Sequence, residues 1–292
     1  MSVTTAPAVV RTREDLAAHL RGGTVAFVPT MGALHDGHVE LMRHARPLGE
    51  TLVVSIFVNP TQFAAGEDLD SYPRTFEADL ARCAEAGVDI VFAPTVEQMY
   101  PHGLEGEATG SGVMVDPGPL GTVLEGAARP THFRGVLTVV AKLFGLVRPD
   151  VAVFGEKDYQ QLVLIRAMVR ELCLGVEVVG CPTVREDDGL AMSSRNVYLE
   201  PDQRRAAVAL SRALRAGREA GSRGAAAVVQ AAEQVLAEAG IAPDYLTVTD
   251  PDLGPVRPGP ARLLVAARVG TPRLLDNIAL TVADATPSST GD

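Results

Sequence analysis

Two histidines three residues apart are the first candidates for chemistry in this sequence. His35 and His38 follow an apolar run at residues 25–28, with Asp36 and Gly37 between them. The run has the length and character of a buried strand, and a helical pattern starts at Asp36. The spacing predicts that both imidazoles lie on one face of the first helical turn, where free N–H groups and the helix dipole attract anions. This arrangement suits a triphosphate whose α-phosphorus is being attacked.

A second group of candidates follows another apolar run, at residues 150–154. Gly155 permits close approach of a ligand to the backbone, and Lys157 adds a positive charge near a new helix start. Asp158 can cap that helix or accept from a ribose hydroxyl, and Gln161 lies one turn further on. A lone lysine or aspartate at a helix start is more often a surface residue. A second glycine-bearing turn at another strand end shifts the balance toward a site.

A third group consists of uncharged polar residues and one arginine. Gln62 follows a buried strand at residues 51–58, at the strand end where open α/β sheets bind ligands. Its amide can donate to a carboxylate and accept from a hydroxyl, although a turn residue is the alternative interpretation. Ser193, Ser194 and Arg195 can bind phosphate oxygens, but Ser-Ser-Arg alone is a common loop sequence.

The elements that must position these residues predict an α/β protein. Five strand–helix alternations indicate a doubly wound parallel sheet in residues 1–185. Residues 186–285 are interpreted as a smaller C-terminal α+β domain that closes over the first as a lid. Residues 1–12 are predicted to be a loose leader, 103–112 a flexible insertion within a loop at 103–118, and 286–292 a disordered tail.

Composition excludes several functional classes. The 292 residues are 47% hydrophobic and carry a net charge of −10, which argues against a nucleic-acid partner. There is no signal-like segment or membrane-length apolar run, so we expect a soluble, cytoplasmic protein without a membrane partner. The three cysteines, Cys83, Cys173 and Cys181, lack metal-like spacing and are predicted to be buried free thiols.

The motifs together resemble a known family. His-x-Gly-His after a first strand is similar to the nucleotidylyltransferase superfamily, and residues 29–38 resemble the pantothenate synthetases (pantoate–β-alanine ligases) specifically. The resemblance covers about residues 22–285 and implies a Rossmann-like nucleotidylyltransferase domain. Residues 192–195 resemble the superfamily's Lys-Met-Ser-Lys-Ser loop, but Ala191 replaces the leading lysine. The resemblance suggests that Lys157 holds the phosphate instead.

The resemblance implies an ATP-dependent ligase that joins pantoate to β-alanine through a pantoyl adenylate. His38, His35 and Lys157 would be catalytic, with His38 as the proton donor, and Gln62 and Gln161 would hold pantoate. The implied ATP-binding residues are Met31, Gly32, Ala33, Leu34, His35, Asp36, Gly37, His38, Gly155, Glu156, Lys157, Asp158, Val184, Met192, Ser193, Ser194 and Arg195. Mg²⁺ is expected on the phosphates rather than in a protein cage. A homodimer is also expected.

Two alternatives and one motif stay open. Another nucleotidylyltransferase would form a dinucleotide-type product without an amine step, whereas a binding module would not catalyse any reaction. Retention of both histidines, Lys157 and the Ser-Ser-Arg loop argues against the module. Arg129, His132 and Arg134 are either site-lining or dimer-contact residues or surface residues at a helix start, and we leave them outside the predicted site.

Overall fold

The chain divides into two compact units. The computed structural model describes residues 6–20, 22–64, 66–67, 69–70, 72–104 and 112–284. Unit 1 comprises Met1–Glu156 and Gln160–Pro182, and unit 2 comprises Lys157–Tyr159 and Thr183–Asp292. The predicted tail at 286–292 and residues 105–111 of the predicted insertion lie outside the described residues.

Unit 1 is built on a parallel sheet. Its strands are β1 (Ala8–Val10), β2 (Val25–Thr30), β3 (Thr51–Ile56), β4 (Ile90–Phe92), β5 (Val151–Gly155) and β6 (Glu177–Cys181). They lie in the order β1-β4-β3-β2-β5-β6, and every pair is parallel. Ala26, Phe27 and Val28 of β2 are fully buried, as expected of a strand covered on both faces. The predicted doubly wound parallel sheet is confirmed.

Helices flank this sheet along the chain. They are α1 (Arg13–His19), α2 (Asp36–Ala45), α3 (Phe76–Glu85), α4 (Val96–Met99), α5 (Glu125–Ala128), α6 (His132–Val147) and α7 (Tyr159–Glu171). Helix α2 begins at Asp36, as the change of period predicts. Among the described residues, no helix combines the length and apolar character needed to cross a membrane.

The prediction of a loose leader was wrong at residues 8–10, which form a strand. Strand β1 pairs with β4 at the sheet edge, and Val10 is only 3% exposed. A run of three residues is too short to show a strand period, so its structure depends on the sheet edge that it joins.

The prediction of three buried thiols was wrong for one of them. Cys83 and Cys181 are buried free thiols, but Cys173 is exposed. Burial raises the pKa of Cys83 to about 12 and that of Cys181 to about 11.

Unit 2 combines two helices with an antiparallel sheet. Its elements are α8 (Pro201–Glu219), α9 (Ala225–Glu238), β7 (Pro243–Thr249), β8 (Gly259–Arg268) and β9 (Arg273–Val282). The strand order is β7-β8-β9. Leu210, Leu214 and Leu236 of the helices and Leu263 of β8 belong to one buried cluster. The predicted smaller α+β domain is confirmed.

Candidate active site

The turn between β2 and α2 is fixed by a buried carboxylate. Asp79 of α3 is 2% exposed, and its Oδ2 and Oδ1 accept from the main-chain N–H groups of Ala33 (3.0 Å) and Leu34 (2.8 Å). Ala33 and Gly32 both have positive φ, 50° and 84°. A Cβ on Gly32 would lie 3.0 Å from Asp79 Oδ2, so glycine suits both the conformation and the space. The turn is therefore held in one shape before any ligand arrives.

His35 and His38 cap helix α2 reciprocally. His35 Nδ1 accepts from the main-chain N–H of Gly37 (3.1 Å), and His38 Nδ1 accepts from that of His35 (3.3 Å). A ring nitrogen that accepts from an N–H carries no proton, so in each neutral ring the proton lies on Nε2. The two ring centroids are 4.1 Å apart. The predicted pairing of the imidazoles at the helix start is present, and the capping sets the tautomer of both.

This helix start can stabilise negative charge on phosphate. Two Nε2–H donors accompany the positive dipole end of a ten-residue helix. The Asp36 side chain is 71% exposed and pairs with Arg82, Nη1 to Oδ1 at 2.6 Å. The hydrogen bond and charge of Arg82 lower the pKa of Asp36. The Asp36 carboxylate is therefore in an ion pair with Arg82.

Gln62 lies in a short 3-10 turn (Pro60–Gln62) beyond the end of β3. It is 8% exposed, and its Oε1 accepts from Asn59 Nδ2 at 3.2 Å. Its Nε2 lies 2.9 Å from Met31 Sδ, which is a weak acceptor. Asn59 is 1% exposed and caps the turn, and its Oδ1 also accepts from Tyr100 Oη at 2.8 Å. The amide is fixed at its oxygen, and among the described residues its nitrogen meets only the weak acceptor Met31 Sδ.

The remaining predicted site residues of unit 1 lie at and after the end of β5. Gly155 ends the strand and Glu156 follows it, while Gln161 is half-buried in the first turn of α7. The neighbouring Gln160 is buried, and its amide bonds Leu120 O, Val123 O and Glu125 N. Of the two adjacent glutamines, Gln160 is therefore a structural residue, and Gln161 is the candidate ligand.

Unit 2 contains the remaining predicted residues. Val184 and Met192 are joined by a hydrogen bond from Met192 N to Val184 O at 2.9 Å. Ser193 caps the following 3-10 turn, with its Oγ accepting from Arg195 N at 3.3 Å. The four residues of the Met-Ser-Ser-Arg motif are all half-buried. The structure thus brings the loop residues of the predicted ATP set into one folded segment.

Lys157 and Asp158 also belong to unit 2, through contacts of their own short segment. Lys157 O accepts from Asn277 Nδ2 at 2.9 Å, and Tyr159 Oη donates to Pro251 O at 2.9 Å. The Lys157 Nζ lies 3.7 Å from Asp158 Oδ1, and the Lys157 side chain is 20% exposed. The ammonium is kept half-buried beside one carboxylate.

The sequence motifs did not indicate that Asp79 fixes the histidine turn or that Asn59 caps the turn of Gln62. Asp79 lies three residues after Phe76 and four before Cys83, both of which belong to or pack against a buried cluster of unit 1. A carboxylate in the apolar stripe of an amphipathic helix was the available signal. Within the described residues, no group of three or more His, Cys, Asp or Glu side chains could hold a metal ion.

Sequence comparisons identify relatives over nearly the whole chain. The model of the pantoate–β-alanine ligase family matches residues 3–279. A pantothenate synthetase from Nocardioides sp. is 59% identical over 296 residues, covering 95% of this chain and 86% of the relative. One from Thermobifida fusca is 56% identical over 287 residues, covering 94% and 96%.

Comparison with solved structures identifies members of the same family. A crystal structure of pantothenate synthetase from Thermus thermophilus matches with a TM-score of 0.86 and 50% identity, covering 93% of this chain and 98% of that one. A pantoate–β-alanine ligase from Francisella tularensis, solved in complex with β-γ ATP and β-alanine, matches with a TM-score of 0.76 and 30% identity, covering 94% and 97%. From the capped histidine pair, the parallel sheet and these matches, we conclude that this chain belongs to the pantoate–β-alanine ligase family.

Proposed function

We propose that this ligase activates pantoate on the capped His35–His38 turn and then transfers the acyl group to β-alanine. In the first step a carboxylate oxygen of pantoate attacks the α-phosphorus of ATP. The bond to the β-phosphate oxygen breaks, and pyrophosphate leaves. In the second step the β-alanine amine attacks the acyl carbon, AMP leaves, and the amine releases a proton. The products are pantothenate, AMP and pyrophosphate.

The observation that carries the proposal is the reciprocal capping of the two histidines. Because each Nδ1 accepts a main-chain N–H, the proton of each neutral ring lies on Nε2. Both rings then donate to phosphate oxygens as negative charge moves toward pyrophosphate. We assign His38 as the proton donor of this step. Loss of one such preorganised donor typically costs roughly 10²–10³ in rate.

Lys157 and the Ser193–Ser194–Arg195 segment are proposed to hold the phosphates. An ammonium gives a compact charge that can follow several oxygens, while a guanidinium can bind two oxygens at once. The half-buried setting of Lys157 supports this role, because a charge partly removed from water interacts more strongly with a phosphate. Mg²⁺ would arrive on the ATP oxygens and supply further charge neutralisation.

Gln62 and Gln161 are proposed to select pantoate. The Gln62 oxygen is already occupied by Asn59, so its nitrogen would exchange the weak Met31 sulfur for a pantoate oxygen. An analogue without a pantoate hydroxyl would leave a buried amide group unpaired and should react much more slowly. A homodimer and a cytoplasmic location are further parts of the proposal, motivated by the family resemblance.

Pantoate-dependent exchange of pyrophosphate into ATP tests the first step. We expect exchange with ATP and pantoate alone, and net AMP formation only when β-alanine is also present. Exchange without pantoate would contradict carboxylate activation. AMP formation that ignores β-alanine would contradict the second step. Pantoate without one hydroxyl serves as the matched control substrate, and it should exchange much more slowly.

A further inference from the structure

Arg129 and His132, whose sequence motif leaves their role open, both contact one atom of the proposed site. We propose that these two residues are positioning residues for pantoate binding, because they hold the main-chain carbonyl of Gln62. The carbonyl oxygen accepts from Arg129 Nη2 at 3.2 Å and contacts His132 Nδ1 at 3.0 Å. The inference rests on the proposed role of Gln62 as a pantoate ligand.

The hydrogen-bond chemistry of this cluster assigns each donor. A carbonyl can only accept, so His132 Nδ1 carries the proton that faces Gln62. In the neutral ring Nε2 is then an acceptor, and it lies 3.2 Å from Arg129 Nη1, which can only donate. Every link therefore has one donor and one acceptor. A protonated His132 would instead turn an N–H toward the guanidinium.

Glu67 orients the guanidinium that makes these contacts. Its Oε1 accepts from Arg129 Nε at 3.0 Å, and its Oε2 pairs with Arg129 Nη2. Burial works to raise the pKa of Glu67, but the hydrogen bond and charge of Arg129, with smaller contributions from other neighbours, hold the pKa below its usual value. The two side chains are 20% and 25% exposed. This two-point pairing fixes the guanidinium plane, which a single contact would leave free to rotate.

The helix that carries His132 also touches the turn directly. A Cβ on Gly135 would lie 2.2 Å from Thr61 O and 2.7 Å from Gln62 Cα, so only glycine allows this approach of α6. Asn59 Nδ2 donates both to Gly135 O and to Gln62 Oε1, each at 3.2 Å. Gln62 is thus held at its backbone by Arg129 and His132 and at its side-chain oxygen by Asn59. A shift of the carbonyl would move the amide that meets pantoate.

Paired substitutions distinguish positioning from general stability. In His132→Asn the amide nitrogen can occupy the place of Nδ1 and keep the donor, whereas His132→Gln carries its amide one carbon further. Arg129→Lys keeps the charge but loses the fork that reaches both Gln62 and His132. Arg148→Lys, at the exposed C-terminal end of α6, is the matched arginine control. Glu67→Gln is a milder variant that weakens only the orientation of Arg129.

The readouts are the KM for pantoate, the KM for ATP, kcat in pyrophosphate exchange, and the thermal unfolding midpoint. We expect Arg129→Lys and His132→Gln to raise the pantoate KM about tenfold or more, with the ATP KM within about twofold. His132→Asn should stay within about threefold of the wild type, and Glu67→Gln should raise the pantoate KM by a smaller factor. Equal changes in both KM values, or equal behaviour of His132→Asn and His132→Gln, would overturn the inference.

A parallel Gln62→Ala variant separates this inference from the proposed function. If Gln62→Ala leaves the pantoate KM unchanged, the assignment of Gln62 fails, and the positioning role fails with it. If Gln62→Ala raises the pantoate KM while Arg129→Lys and Glu67→Gln do not, only the positioning role fails. A rise in all three, graded from Gln62→Ala through Arg129→Lys to Glu67→Gln, supports both.

Discussion

Two turns supply most of the proposed phosphate ligands, and they are held in different ways. The turn from Gly32 to His38 in unit 1 is fixed by the fully buried carboxylate of Asp79 and by the histidine capping box. The Met192–Arg195 loop in unit 2 is half-buried, and Ser193 caps the short 3-10 turn that follows it. Nearby support comes from Glu186, which accepts from Asn196 at 2.8 Å and from Arg204 at 2.6 Å.

The two turns differ in how firmly their conformation is held before a ligand binds. A buried carboxylate that bonds two main-chain N–H groups cannot be released without leaving charged or polar groups unpaired, which costs about 1–3 kcal/mol or more. The Arg204 and Glu186 side chains are 25% and 34% exposed, so water can replace part of their interaction. We infer that the histidine turn meets ATP in its final shape, whereas the loop of unit 2 has more freedom to adjust. Electrostatic catalysis benefits most from the fixed donors.

The largest expected effect comes from removing a donor without disturbing the cap. In His38→Asn the side-chain oxygen can still accept from the main-chain N–H of His35, but the Nε2 donor is lost. We expect pyrophosphate exchange to fall roughly 10²–10³-fold with little change in the unfolding midpoint. His44→Asn, in the last turn of the same helix, is the matched control. Equal exchange rates in His38→Asn and the wild type would remove His38 from the mechanism.

The next effect tests the charged residue of unit 2. Lys157→Ala should raise the ATP KM or lower kcat/KM for ATP by about 10–100-fold, the range for losing a hydrogen bond to a charged group. Lys157→Arg should restore little, because a planar fork does not replace a compact ammonium. Steady-state kinetics with varied ATP measure this, with the exposed Arg218→Ala as the control in the same unit. Unchanged ATP parameters in Lys157→Ala would contradict the assignment.

A smaller effect, mainly on stability, tests how the histidine turn is fixed. Asp79→Asn replaces one carboxylate oxygen by an NH₂ group that faces a main-chain N–H of Ala33 or Leu34. We expect the free energy of unfolding to fall by about 1–3 kcal/mol in urea denaturation, with a loss of exchange activity in the folded protein. Glu77→Gln, exposed on the same helix, should change it by less than about 0.5 kcal/mol. If both variants behave alike, the turn does not depend on the buried carboxylate.

The smallest effect concerns the exposed ion pair beside the histidines. Arg82 lowers the pKa of Asp36 below 3.8, so the pair stabilises the folded state above that pH and loses this contribution as the pH falls through the lowered pKa. Because the Asp36 side chain is 71% exposed, Asp36→Asn should cost less than about 1 kcal/mol at pH 7. Urea denaturation at pH 7 and below pH 4 measures the gap between variant and wild type. A gap that widens toward low pH would contradict the pairing.

Local patterns were sufficient for the elements that carry the histidines. The buried run of β2 and the change of period at Asp36 depend only on neighbouring residues, and both match the structure. The role of Asp79 depends on contacts with residues 45 and 46 positions away, which no local period contains. Strand β1 was missed for a similar reason, because its three residues become a strand only by pairing with β4. The assignments of Gln62, Gln161 and the phosphate ligands remain predictions.

Arg129 and His132 illustrate a second limit of sequence patterns. Their motif indicated either a site or a helix start, and the sequence offered no way to decide between them. The contacts to Gln62 O span 67 and 70 positions. Their acceptor is a main-chain atom, which every residue type has, so the sequence does not indicate these contacts. Interactions of this kind are visible only in the folded chain.

The hydrogen bond between Lys157 O and Asn277 Nδ2 has a consequence for how the protein is made. The two residues are 120 positions apart, so the backbone of Lys157 has no native partner here until synthesis has passed Asn277. Domains generally fold as units during synthesis, and long-range contacts form slowly. The parallel sheet can therefore assemble on the ribosome well before the lysine is held in place. With the proposed role of Lys157, a nascent chain would carry the histidine turn early and become competent to handle ATP only after Asn277 has been synthesised.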